Sequence, residues 1–158
     1  AVFNTSNSSI SDDHISRKHP EWFLTYGDKK YFDPGNKEAQ KFVVSVVRDI
    51  VKRYDVDAIH MDDYFYPYRI PGKEFPDDAT YKSSGSKLSK DDWRRSNTDS
   101  IIQALSIAIK QEKRLCRFGI SPFKIKTREE AIVRADKQTM MICMQTFYYG
   151  CKKDGLIM

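Results

Sequence analysis

The sequence predicts an α/β fold in which parallel strands are connected by helices. Long helical segments alternate with short apolar segments in the order strand, helix, strand, helix, strand, an alternation typical of parallel sheets with right-handed crossovers. The connections from strand to helix are long, over 5–35 and 64–88, whereas those from helix to strand are short. The extra chain therefore lies at the carboxyl ends of the strands, where both (β/α)8 barrels and open α/β sheets place their active sites.

The first predicted helix runs from Asn36 to about Tyr54. The turn "DPGN" leaves Asn36 as the N-cap, and Glu38 lies in the first turn beside the positive end of the helix dipole. A stripe of apolar residues at helical spacing indicates the face that packs against a core. The stripe consists of Ala39, Val43, Val46, Val47, Ile50 and Tyr54.

The second predicted helix begins near Ser89, where "SKDD" places Asp92 in a capping-box pattern. The predicted strands are "AVFN" at the start of the chain, 56–61 and 115–121, and a further helix is predicted over 128–136. A complete barrel needs eight strands and about 250 residues. The residues therefore leave two architectures open, an open sheet or a slice of a longer barrel.

The composition is that of one globular domain, with 158 residues of which 40% are hydrophobic and 31% charged. Every apolar segment is far shorter than the roughly 20 residues of a membrane helix. The net charge of +5 suits an anionic partner, but the basic residues are scattered among acids, so we expect no nucleic-acid partner. Cys116, Cys143 and Cys151 lack metal-type spacing, and we expect buried free thiols. The chain starts on "AVF" without Met, and we expect upstream sequence to be missing.

The main candidates for chemistry are Asp62 and Asp63, which follow an apolar strand and precede a cluster of rings in "DAIHMDDYFYPY". A carboxylate at the carboxyl end of a strand, beside rings that exclude water, has a tunable pKa. It can act as nucleophile or acid–base group in glycoside cleavage, or hold a divalent cation. Because neighbouring side chains on a strand point to opposite faces, only one of the two can share the side of His60 unless the strand has ended. The alternative is structural: the pair caps a turn or meets a nearby Arg or Lys.

Aromatic residues share that end of the sheet, both after the acids and in the preceding long loop around Trp22. Rings with polar edges are typical of sugar-binding clefts, where a pyranose stacks on the ring face. Such rings also form the small cores that long loops need. Nucleic-acid stacking is a third interpretation, weakened because no Arg or Lys cluster accompanies the rings.

The remaining polar candidates carry weaker signals. His60 lies inside a strand, where a core role competes with a substrate contact, whereas His19 in "KHPEW" is the better candidate for a contact. Asp33 in "FDPGN" has an ordinary role as a turn acid, and Asp77 and Asp78 either order the long loop or line the cleft. HxH, HExxH, GxSxG and glycine-rich phosphate motifs do not occur in the sequence, so we expect no metal and no cofactor.

Several motifs in the same order resemble the glycosyl-hydrolase-like 10 family, also called the DUF187 group. They are "KHPEWFLTYGDKKYFDPGNKEAQKFVVSVVRDIVKRYDVDAIHMDDYFYPY", "FPDDATY", "DWRRSNTDSIIQALSIAIKQEK" and "FGISPF", and the similarity covers about 1–123. Family members are (β/α)8 barrels. The resemblance therefore implies that 1–158 is a fragment of one TIM-barrel domain, an incomplete barrel with about strands three to five: "AVFN", "DAIHMDDY" and "FGISPF".

The resemblance also implies a function. Members look like secreted, periplasmic or lipid-anchored bacterial glycan hydrolases, and one hydrolyses peptide-stripped peptidoglycan strands. On that basis Asp62 and Asp63 are the catalytic candidates. The substrate-binding candidates, taken from the resemblance and from the ring and histidine arguments together, are Asn4, His19, Trp22, Asp33, His60, Tyr64, Tyr66 and Ser121. The family pattern departs at 124–127, where the expected glycine and aromatic loop does not follow "GISPF".

The expected reaction is cleavage of a glycosidic bond by two carboxyl groups through an oxocarbenium-like transition state. Asp62 or Asp63 supplies one of them, and its partner lies elsewhere. One alternative is a magnesium-dependent phosphoryl-transfer or nuclease domain on an open sheet, with the two acids holding the metal. Another is a non-catalytic carbohydrate-binding module. We expect the chain by itself to be inactive, because an unclosed barrel leaves edges bare and the remainder of the barrel is its partner.

Overall fold

The computed structural model describes residues 2–3, 11–62 and 65–120. One sheet has the antiparallel order β1-β3-β2, and its strands are β1 (Val2–Phe3), β2 (Phe23–Tyr26) and β3 (Lys29–Phe32). The other is a parallel pair of β4 (Ala58–Met61) and β5 (Arg117–Ile120). The helices are α1 (Ile15–Lys18), a 3-10 turn (Pro20–Trp22), α2 (Lys37–Arg53), α3 (Asp78–Ser83) and α4 (Lys90–Glu112).

The two predicted long helices, α2 and α4, are confirmed, including their starts. The side chain of Asn36 accepts hydrogen bonds from the backbone of Glu38 at 3.0 Å and of Ala39 at 3.1 Å. The hydroxyl of Ser89 accepts from the backbone of Asp92 at 3.1 Å. Both caps satisfy amide groups that have no partner inside the helix. None of the helices in the described residues is long and apolar enough to cross a membrane.

The main core lies where α2 and α4 pack together over one face of the β4–β5 pair. Its buried residues are Val47, Val51, Leu105, Ile109 and Cys116. Ile59 and Phe118 pack against it from the strands, so that His60, which alternates with Ile59, lies on the other, exposed face. The thiol of Cys116 is free and buried, as predicted, whereas Cys143 and Cys151 lie outside the described residues.

The predicted apolar stripe of α2 is only partly buried. Val47 is in the core, but Val46 and Ile50 are exposed, and Tyr54 is 64% exposed. The helix α4 covers a face centred on Val47 and Val51, which is narrower than the stripe. Helical spacing therefore predicted correctly which side of α2 faces the core, but the predicted apolar stripe is wider than the buried face.

The predicted pairing of the first strand is wrong. β1 pairs with β3 in antiparallel orientation, with Val2 opposite Tyr31, and it does not extend the parallel pair. The parallel arrangement is confirmed for β4 and β5, where Ala58 lies opposite Arg117. The described residues therefore form a mixed α/β structure with two small sheets and no closed barrel, and the slice of a TIM barrel stays a prediction.

The long connection predicted over 5–35 contains a β-hairpin made of β2 and β3. Tyr26 pairs with Lys29, which leaves Gly27 and Asp28 as a two-residue turn. Gly27 has φ +67°, a conformation that favours glycine, and a glycine in the first turn position is typical of type II′ hairpins. The helix predicted over 128–136 lies outside the described residues.

Candidate active site

The first part of the candidate site is the carboxyl end of β4. Asp62 follows the last strand residue directly and is exposed. His60, two residues earlier, is exposed on the face of β4 away from α2 and α4, and a chain that stays extended for one more residue directs Asp62 to that face. On that side the His60 ring lies close to β5, since a Cβ built on Gly119 would be 3.3 Å from His60 Nδ1. Four other predicted site residues lie outside the described residues: Asn4, Asp63, Tyr64 and Ser121.

The second part is a stacked pair formed by His19 and Trp22. Their ring centroids are 3.9 Å apart with an interplanar angle of 9°, and Phe42 of α2 contacts the indole at 5.6 Å. The Glu21 carboxylate lies 3.0 Å from His19 Nδ1. A backbone hydrogen bond and then His19 lower the pKa of Glu21. The structure thus brings two predicted contact residues together as a partly exposed aromatic surface with a charged edge.

Asp33 is a buried turn residue that connects two loops. Its Oδ1 accepts a hydrogen bond from the backbone of Gly35 at 2.8 Å, and its Oδ2 accepts from the hydroxyl of Thr80 in α3. The side chain of Trp93 covers this turn, and a Cβ on Gly35 would lie 2.5 Å from its Cη2 atom. Burial raises the pKa of Asp33, and the hydrogen bonds from Thr80 and Gly35 oppose that shift.

We expect Asp33→Asn to change how stability depends on pH. A carboxyl group whose pKa is raised in the folded state binds its proton more tightly there than in the unfolded chain. Stability therefore declines as the pH rises from 3.8, the ordinary pKa of aspartate, through the folded pKa of Asp33. Asparagine removes this decline, because it carries no charge. Its amide can donate to the Thr80 oxygen in place of the hydrogen bond that the Thr80 hydroxyl donates to Asp33. Urea denaturation should be measured at about pH 3.5 and about pH 7. The free energy of unfolding of the variant, relative to that of the wild type, should be higher at about pH 7 than at about pH 3.5.

Thr80→Val supplies the opposite test of the same carboxyl group. This variant removes a hydrogen bond that favours the charged form of Asp33, so the folded pKa should rise further and the decline in stability should become steeper. Identical pH dependence in the wild type and both variants would contradict the burial of a titrating Asp33.

Tyr66 is buried and links the segment after β4 to the helix layer. Its hydroxyl accepts a hydrogen bond from Asn97 Nδ2 at 3.5 Å, and Asn97 Oδ1 accepts from Lys37 Nζ at 3.2 Å. Burial raises the pKa of Tyr66 and lowers the pKa of Lys37. The structure therefore surrounds this predicted substrate contact with protein, and its phenol stays protonated.

Sequence reasoning missed a buried ion pair between Asp77 and Arg94. The guanidinium donates to both carboxylate oxygens, from Nε at 2.7 Å and from Nη2 at 2.6 Å, and Lys90 Nζ lies 3.1 Å from Asp77. Bidentate pairs of this kind are strong and orient both partners. Of the two roles left open for Asp77, the structure shows loop ordering. Arg94 gave no signal, because arginine on a helix is usually exposed.

Within the described ranges, no group of three or more His, Cys, Asp and Glu side chains is arranged to hold a metal ion. Asp63 is outside those ranges, so this statement includes Asp62 but does not include Asp63.

Comparison with known proteins agrees with the motifs. A family model described as "Glycosyl hydrolase-like 10" matches residues 1–148. "Glycosyl hydrolase YngK" of Bacillus subtilis (strain 168) is 46% identical over 124 residues, which are 77% of this chain and 24% of that protein. "Glycosyl hydrolase DigH" of Escherichia coli (strain K12) is 42% identical over 119 residues, 73% of this chain and 27% of that protein. The chain thus spans about a quarter of the length of these relatives. It belongs to the glycosyl hydrolase-like 10 family.

Proposed function

We propose that this chain is part of a glycoside hydrolase that acts on a bacterial polysaccharide, with peptidoglycan glycan strands as the first candidate substrate. The observation that carries the proposal is the exposed Asp62 at the carboxyl end of β4, directly after the last strand residue. Family membership supports the reaction class. A substrate in the cell wall requires a secreted, periplasmic or lipid-anchored enzyme.

In this proposal Asp62 or Asp63 is one of the two carboxyl groups that glycoside cleavage requires. It acts as nucleophile or as electrostatic stabiliser of the positive charge that develops on the sugar ring. The second carboxyl group comes from another part of the enzyme. In the same proposal His60, which is exposed on β4, contacts the sugar or orients the carboxylate.

The stacked pair of His19 and Trp22 supplies the sugar-binding surface. Aromatic faces suit the apolar face of a pyranose, and polar edges suit its hydroxyl groups. Asn4, Tyr64 and Ser121 complete the proposed pocket by family resemblance. Asp33 and Tyr66, which are buried, support the surrounding loops in this proposal and do not touch the sugar.

The test is an activity assay of the natural protein that carries this chain. We expect it to cleave peptide-free peptidoglycan strands, with new reducing ends detected by mass spectrometry, and to do so equally well in EDTA, since two-carboxylate cleavage uses no metal. Activity that EDTA removes and Mg²⁺ restores would favour the phosphoryl-transfer alternative. Binding of the glycan without turnover would favour a carbohydrate-binding module.

A further inference from the structure

The loop formed by residues 65–77 begins three residues after Asp62 and is held by two separate elements. One is the β2–β3 hairpin, which contacts the tip of the loop. The other is α4, which contacts residues near its start and at its end. The loop that follows the proposed catalytic carboxylates in the chain is therefore held in a defined position.

On the hairpin side, one hydroxyl group holds both strands of the loop tip. Tyr26 Oη accepts a hydrogen bond from the backbone amide of Ile70 at 2.7 Å and donates to the backbone carbonyl of Lys73 at 3.1 Å. Those two residues close a turn, with Lys73 N donating to Ile70 O at 3.0 Å. The turn of the hairpin also meets the loop, because a Cβ on Gly27 would lie 2.8 Å from Ile70 Cδ1.

Ring packing joins the two ends of the loop beneath that turn. Phe75 meets Tyr26 at 5.5 Å and 78°, and Tyr66 at 5.7 Å and 83°, the edge-to-face geometry that aromatic pairs favour. All three rings are buried. The ring of Tyr26 thus packs against Phe75, while its hydroxyl group makes hydrogen bonds to the loop tip. Substitution by phenylalanine removes the hydrogen bonds and keeps the ring.

On the helix side, two residues three positions apart on α4 hold the loop. Asn97 donates to the hydroxyl of Tyr66, near the start of the loop, and Arg94 binds Asp77 at its end. Residues at this spacing lie on one helix face. Because α4 also packs in the core under β4, the loop and the strand that ends at Asp62 have a common support.

We propose that the β2–β3 hairpin and α4 form a two-sided clamp on the 65–77 loop, and that Tyr26 is a positioning residue for the glycosidase reaction. The inference rests on the proposed function. In this proposal Tyr26 acts through the backbone of Ile70 and Lys73, and so through the loop that follows Asp62 in the chain. A displacement of about 1 Å of groups near the chemistry can cost ~10²-fold in rate, which is why a loop in this place requires a fixed position.

The test uses Tyr26→Phe in the natural protein, which keeps the ring and removes both hydrogen bonds. We expect kcat per folded molecule to fall about tenfold, with KM changed less than about twofold, because the loop aligns the reacting groups and the sugar stacks elsewhere, on His19 and Trp22. Hydrogen exchange at the Ile70 amide should become faster. The matched control is Tyr31→Phe on the same hairpin, whose hydroxyl makes no hydrogen bond to the described residues and whose kcat should stay at the wild-type value.

Several outcomes would overturn the inference. They are an unchanged kcat despite faster exchange at Ile70, a lower melting temperature with unchanged kcat per folded molecule, and equal losses in Tyr26→Phe and Tyr31→Phe. If Tyr26→Phe fails to fold, Asn97→Ala tests the helix side, with the same expected loss of kcat and the same overturning result. A wild-type protein without glycosidase activity refutes the proposed function and the clamp's role with it, whereas an active wild type with unchanged variants refutes the clamp alone.

Discussion

Asp62→Asn is expected to lower kcat by about 10²- to 10³-fold, the loss typical of removing one group that stabilises the charge of a transition state, with a smaller change in KM. Asparagine has the shape of aspartate but can neither attack the sugar nor stabilise positive charge on it. Asp62 follows β4 directly and is exposed, so its carboxylate is accessible to a substrate.

The measurement is steady-state kinetics of the natural protein and of Asp62→Asn and Asp63→Asn on glycan strands. The matched control is Asp57→Asn, because Asp57 is exposed and lies at the opposite, amino end of the same strand. Its kcat should equal that of the wild type. Wild-type turnover in both Asp62→Asn and Asp63→Asn would refute the proposed catalytic role, and an equal loss in Asp57→Asn would show that any charge change on this strand disturbs the enzyme.

The helices and the parallel strand pair could be predicted because their signals are local. Asn36 and Ser89 lie next to the helices that they cap, and the apolar spacing of α2 repeats within a few residues. The alternation of helix and strand also predicts the parallel pairing of β4 with β5, since a strand that follows a crossover helix pairs in parallel.

The antiparallel sheet contains one pairing that the sequence does not encode and one hairpin whose signal was overlooked. The pairing of β1 with β3 joins Val2 to Tyr31, and a strand of two residues carries no pattern that could identify a distant partner. The hairpin itself was predictable. Two segments rich in aromatic residues flank Gly27 and Asp28, and a two-residue turn of this type between such segments is a hairpin signal.

The candidate site divides in the same way. The position of Asp62 at the end of β4 could be predicted because the end of an apolar strand is visible in the sequence. The turn around Asp33 was visible for a similar reason, since Gly35 is two residues away. The contacts of Tyr66 with Asn97 and of Asp77 with Arg94 span 31 and 17 residues, and neither spacing encodes them. They depend on how the loop lies against α4, which is a property of the folded chain.

Arg94→Met is expected to cause the largest loss of stability, about 3 kcal/mol in the free energy of unfolding, because it leaves a buried carboxylate without its main partner. Asp77 is fully buried, and its two oxygens both bind the guanidinium. Lys90 Nζ lies 3.1 Å from Asp77, and its side chain is about one quarter exposed, so it compensates part of the charge of Asp77. We therefore expect a loss near the lower end of the roughly 3–5 kcal/mol that breaking a buried pair usually costs.

Arg95→Met is the matched control, since it makes the same chemical change at the next residue of α4. Arg95 pairs with Asp92, whose side chain is about half exposed, and water replaces a lost partner at such a site at little cost. Urea denaturation should therefore show a large shift for Arg94→Met and a small one for Arg95→Met. Adding Asp77→Asn to Arg94→Met should recover part of the stability, because it removes the uncompensated charge. Equal shifts for the two arginine variants, or no recovery in the double variant, would mean that the pair does not hold the loop through its charge.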